Sequence, residues 1–76
     1  MFCCIDVEKT GRNIKRLREK QGLSVRELAE SFSGMASLQT IYCWQKGEYL
    51  PSYENLLTLS SIFGTPVEEI IAHTFY

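Results

Sequence analysis

Several residue types that most chemistry depends on are scarce in this chain. Of its 76 residues only His73, close to the end, is a histidine. With no second imidazole, no clustered acids and no nucleophile beside a base, the sequence contains no catalytic constellation, and a binding protein rather than an enzyme is expected. Cysteine is sparse and odd in number: the adjacent Cys3 and Cys4, and a distant Cys43. Their spacing matches neither a disulfide framework nor a zinc site. Reduced thiols in a cytoplasmic protein, with no metal and no other cofactor, are the expectation. No apolar run approaches the ~20 residues of a membrane helix. The opening MFCCIDV is too short for a signal peptide and has the wrong flanks. A soluble chain with neither a membrane partner nor a small-molecule substrate follows. Low-complexity tracts and internal repeats are absent as well.

A surplus of positive charge is also missing. The formal net charge is -1, which by itself argues against a nucleic-acid partner. The distribution argues otherwise. Residues 1 to 8 carry Asp6 and Glu8 and no base. Residues 9 to 26 carry Lys9, Arg12, Lys15, Arg16, Arg18, Lys20 and Arg26 against Glu19 alone, a local charge of +6. The remainder has Lys46 against Glu27, Glu30, Glu48, Glu54, Glu68 and Glu69, a local -5. Bases gathered in one quarter of the chain suit either a solvated helix face or a one-sided positive field that steers association.

What is present reads as helix. Hydrophobic residues make up 45% of the chain, enough for the single core that this length allows. Ile14 and Leu17 recur at helical spacing between Thr10 and Gln21, with bases on the other faces and Gly22 at the end. Ser24 stands three residues before Glu27, a capping box, and a second helix of about nine residues carries Val25, Leu28, Ala29 and Phe32. Ser33, Gly34 and Met35 interrupt it. Ser37 caps a third helix with Leu38, Ile41 and Trp44 on one side and Gln39, Thr40, Tyr42 and Cys43 on the others. After Gly47 and a short connection ending at Pro51, Ser52 caps a fourth helix whose stripe is Leu56, Leu59, Ile62 and Phe63, closed by Gly64. Thr65, Pro66 and Glu68 spell the start of a short fifth helix, an N-cap, a proline at the first position and a capping-box acid, with Ile70 and Ile71 facing in. The expected architecture is one all-α, five-helix domain over 9–72, with an arm at 1–8 and a tail at 73–76.

The stretches GRNIKRLREKQGLSVRELAESF, TIYCWQKG and LPSYENLLTLSSIFGTPVEEII, between Gly11 and Ile71, resemble the lambda-repressor-like (Cro-like, XRE) helix-turn-helix family of DNA-binding regulators. The resemblance rests on the order of its parts: Ile14, Leu17 and Arg18; Gly22, Leu23 and Ser24; Glu27, Leu28 and Ala29; Ile41 and Trp44 before Gly47; Pro51 and Ser52; and Val67 to Ile70. It covers about four fifths of the chain.

The resemblance implies a sequence-specific binder of double-stranded DNA. In that motif one helix braces on the duplex backbone while the next lies in the major groove. Gln39 and Thr40, with Tyr42 and Cys43 a turn further on, are then the residues facing bases: a Gln amide pairs bidentately with adenine, and a Thr methyl meets a thymine methyl. Ser24, Arg26, Lys46, Ser52 and Tyr53 are the residues facing the DNA backbone. A bacterial or phage-type repressor that occupies a palindromic operator as a homodimer is the implied role, with the fifth helix and the two chain ends, Met1 to Val7 and Phe75 with Tyr76, as the dimer surface. Equally, those ends can cover one core. Three features depart from the family pattern. Val25 stands where many members carry a glutamine, Glu48 makes the connection after the third helix acidic, and the turn between the second and third helices is about two residues longer than usual. The alternative is a protein-interaction module on the same scaffold, of antitoxin or regulator-binding type, using Leu38, Tyr42, Tyr49 and Leu50.

Overall fold

Short polar side chains begin four of the helices in the same way. Asp6, Ser24, Ser37 and Ser52 are each in extended conformation, and each accepts a hydrogen bond from the backbone N–H three residues on, at Lys9, Glu27, Thr40 and Asn55. Each cap satisfies one of the N–H groups that a helix start leaves without a partner. The computed structural model describes residues 3–75. In chain order it shows β1 (Cys3–Ile5), α1 (Val7–Lys20), α2 (Val25–Glu30), α3 (Leu38–Lys46), α4 (Tyr53–Phe63), α5 (Val67–Ile70) and β2 (His73–Phe75). The five expected helices are all there.

Three boundaries differ from the sequence reading. The Asp6 cap starts α1 at Val7, earlier than Thr10. Helix α2 has six residues instead of about nine, because Phe32 and Ser33 donate to carbonyls only three residues back, at Ala29 and Glu30. That tighter bonding turns the chain before a further α-helical turn can form. At α5 the expected capping box does not form. Pro66 occupies the cap with no side-chain hydrogen bond, and the Thr65 hydroxyl instead donates to the Phe63 carbonyl at 3.3 Å.

The core draws on every helix. Ile14, Leu28, Ile41, Trp44, Leu59 and Ile70 are essentially inaccessible to water. Phe32 lies against Trp44 with ring centroids 5.7 Å apart and planes tilted by 59°, a favoured aromatic arrangement. The closest seam joins α1 to α3. A Cβ at Gly11 would collide with the carbonyl oxygens of Trp44 and Gln45, so only glycine allows this approach. Gly47, which closes α3 with φ 78, is just as confined: a Cβ there would lie 2.7 Å from the Cα of Glu8.

Residues assigned from sequence to an arm and a tail pair with one another. β1 and β2 run antiparallel, with Cys3 opposite Phe75, Cys4 opposite Thr74 and Ile5 opposite His73. The ladder continues into the core, where the Asp6 N–H donates to the Ala72 carbonyl at 2.8 Å and the Ala72 N–H donates to the buried hydroxyl of Thr10 at 2.9 Å. Asn13 adds a side-chain bond to the Ile70 carbonyl at 3.1 Å. Met1, Phe2 and Tyr76, part of the expected dimer surface, lie outside the described residues.

Candidate nucleic-acid interface

Helix α3 has two unlike sides because its apolar residues fall on one of them. Ile41 and Trp44 are buried. Gln39, Tyr42 and Lys46 are exposed, and Thr40 and Cys43 are half-buried. Positions 39, 42, 43 and 46 are three or four residues apart, so they form one stripe along the outer surface. The structure therefore brings all four expected base-facing residues, Gln39, Thr40, Tyr42 and Cys43, onto the accessible part of one helix.

These side chains are partly engaged with one another. The hydroxyls of Ser37 and Thr40 are 3.0 Å apart, and the Gln39 amide points to the Cys43 sulfur at 3.9 Å. Tyr49, from the connection after α3, joins the group. Its phenol lies beside the Cys43 side chain, whose interaction with it raises the phenol above its usual pKa of 10.0; partial desolvation and the nearby Glu48 carboxylate act in the same direction, while Thr40 pulls it down. From the sequence, Tyr49 is visible only as part of a connection. Its reach back onto α3 depends on the left-handed turn at Gly47.

At the start of α2, Ser24 and Glu27 form the expected capping box, with bonds of 3.0 and 2.9 Å. Hydrogen bonding from the Ser24 backbone, and secondarily from its side chain, holds the Glu27 carboxyl below its usual pKa. Arg26, in the same turn, is exposed. Val25 is only 8% exposed and belongs to the core, which accounts for an apolar residue at that position. Of the other expected backbone-facing residues, Lys46 ends the α3 stripe, Tyr53 is exposed on the first turn of α4, and the Ser52 hydroxyl is used in its cap.

Arg18 has a role that its place among the bases conceals. Its Nε donates to the Gln45 side-chain oxygen at 2.9 Å and its Nη1 to the Leu23 carbonyl at 2.7 Å, with the side chain 12% exposed. It ties α1 to α3 and to the turn before α2. One base of the +6 segment thus serves the scaffold. Lys9, Arg12, Lys15, Arg16 and Lys20 remain exposed along α1.

Elsewhere, a small apolar groove is lined by Cys3, Ile5, Val67, Glu68, Ile71 and His73. It shares no residue with α2 or α3. Among the described residues no three His, Cys, Asp or Glu side chains gather as a metal site would require, and no helix is long and apolar enough to cross a membrane.

Comparison with known proteins bears on the family and the fold. The family described as Helix-turn-helix matches residues 14–70. Two solved structures superpose well: the DNA-binding domain of BldD, with a TM-score of 0.76 and 22% identity over 88% of this chain and 94% of that one, and the S. venezulae BldD DNA-binding domain, with the same score and identity over 88% and 97%. At that identity the likeness is one of fold. No curated protein matches the sequence.

Proposed function

This chain belongs to the helix-turn-helix family, in its lambda-repressor-like form, and from that premise we propose that it binds double-stranded DNA sequence-specifically and regulates transcription without catalysis. The observation that carries the reading is the outer side of α3. Four polar or polarisable side chains stand there, on a helix whose other side is locked into the core. The solved structures of like fold are DNA-binding domains, which supports the same reading.

In this proposal α3 lies in the major groove. Gln39 and Thr40 meet base edges first, being nearest the helix start, and Tyr42 and Cys43 follow. Arg26, Lys46 and Tyr53 meet phosphates, with Ser24 and Ser52 marking the helix starts that approach the backbone. Few bases stand beside α3, so affinity per protomer is modest and falls steeply with salt. Two protomers on a palindromic operator offset that weakness, and operator occupancy in the cytoplasm makes the protein a repressor.

The test is binding to a selected duplex across a salt series, with wild type beside a Gln39→Ala, Thr40→Ala variant. The expected variant keeps weak, salt-sensitive binding and loses sequence preference. Preference that survives the double substitution would remove these residues from the readout. A second reading, a protein-interaction module, is favoured by the acidic Glu48 and by the exposed Tyr42 and Tyr49. If duplex at low salt leaves the α3 and Arg26 resonances unmoved, that second reading gains.

A further inference from the structure

The turn joining α2 to α3 contains an apolar side chain left in water. Met35 is 81% exposed, the most exposed of the large hydrophobic residues described. Its neighbours do the opposite: Phe32 and Ala36 are buried at 5% and 6%. Ser33, Gly34 and Met35 therefore project as a three-residue tip between two core anchors.

The tip is held in place. Ser33 donates to the Glu30 carbonyl at 3.0 Å and Met35 to the Phe32 carbonyl at 2.9 Å. Ser33 has φ 52 and Gly34 φ 85, two successive left-handed residues, the first of which has a side chain. Such a conformation costs free energy in a non-glycine residue, and its retention points toward function. The exposed Met35 follows directly on these two residues.

Position and charge identify what Met35 would meet. It lies two residues before Ser37, at the leading end of α3, and the N-terminal residues of a recognition helix are those nearest the base edges. From Ser31 to Gln45 the chain has no charged residue, so this segment offers phosphates no cation. It suits base edges instead. In the major groove the apolar group on a base edge is the thymine methyl, and an unbranched thioether adapts well to such a contact.

We propose that Met35 is a specificity-determining residue, which packs on a thymine methyl at a base pair flanking those met by Gln39 and Thr40. The proposal rests on the DNA-binding reading above. It adds a residue from the turn to those of the helix.

The experiment starts from duplexes recovered by selection on the wild-type protein from a randomised library. Each thymine of the recovered sequence is then replaced singly by uracil, which removes only the methyl group. Affinities are measured for wild type, Met35→Leu and Met35→Gln, all expected to melt alike because the side chain is exposed. At one outer position uracil should weaken wild type and Met35→Leu roughly three- to five-fold, the effect of one buried methyl. Met35→Gln should show no such loss there, while thymines facing Thr40 keep their effect in all three proteins. Identical uracil profiles for wild type and Met35→Gln would overturn the assignment of Met35 and leave DNA binding standing. Recovery of no preferred sequence would overturn both.

Discussion

The two sides of α3 are built on opposite terms. Toward α1 there is no slack. Gly11 admits the backbone of Trp44 and Gln45 because it has no Cβ, Trp44 is 1% exposed, and Arg18 spends its guanidinium on Gln45 and Leu23. On the outer side, Gln39, Tyr42 and Lys46 stand in water, Gln39 makes only a long contact to the Cys43 sulfur, and Tyr49 lies beside Cys43 and Thr40. One side supplies stability and orientation, and the other is left free to exchange partners. A rigid helix with an exchangeable surface is what presenting side chains to a ligand requires. Substitutions should therefore separate cleanly, moving stability on one side and recognition on the other.

The strongest way to break the contrast is Trp44→Ala. Removing a fully buried indole leaves a cavity between α1, α2 and α3 and should cost about 3–5 kcal/mol, a large share of what a domain of this length has. Urea unfolding followed by far-UV circular dichroism measures it. Next comes Arg18→Met, which keeps the stem and removes two charge-assisted bonds. The Leu23 carbonyl and Gln45 side chain lose their donor, and about 1.5–3 kcal/mol should go. If Arg18 acted instead as an outward phosphate contact, the variant would unfold like wild type and bind DNA with a shallower salt dependence.

These two residues also mark how far the sequence can be read. The caps at Ser24, Ser37 and Ser52 are legible because donor and acceptor lie three residues apart. The stripe on α3 is legible because period alone decides it. Arg18 is not, since its acceptor Gln45 lies 27 residues away and a base in a basic helix gives no sign of pointing inward. The pairing of Cys3–Ile5 with His73–Phe75 has the same cause: three-residue strands at opposite ends carry too little pattern to reveal each other. The α5 start fails differently. Thr65 has the right spacing for a cap, but its hydroxyl finds the Phe63 carbonyl first, a local competition that residue type alone does not resolve.

On the outer side the expected effects are smaller in stability and larger in recognition. Tyr49→Phe removes only a hydroxyl from a residue 48% exposed, so unfolding should change by less than about 0.5 kcal/mol. The same change removes the hydroxyl that lies beside Thr40 and Cys43. Sequence-specific affinity should then fall about two- to ten-fold, the range for one net hydrogen bond, with non-specific binding unchanged. Isothermal titration with specific and scrambled duplexes reads both numbers. Equal losses on the two duplexes would make Tyr49 a backbone contact and not a support for the α3 surface.

The smallest effect belongs to the α2 start, where the outer surface borders the scaffold. Bonds from Ser24 hold the Glu27 carboxyl below its ordinary value of 4.5. A carboxyl with a depressed folded pKa adds stability above its unfolded pKa and loses it as pH falls through the folded one. The cap should thus be intact near neutrality and loosen only at pH values below the ordinary carboxylate range. The Ser24 amide proton, which donates to Glu27 Oε1 at 2.9 Å, reports this directly in an NMR pH titration. Glu27→Gln keeps an acceptor at the same place, so the box persists and the titration step vanishes. Glu27→Ala loses the acceptor and shifts the Ser24 amide at every pH. A wild-type midpoint at or above the ordinary value would mean that the charged form gains nothing from Ser24. In that case α2 would be held by Val25 and Leu28 in the core, and its exposed first turn, with Arg26, would be free to rearrange against a ligand.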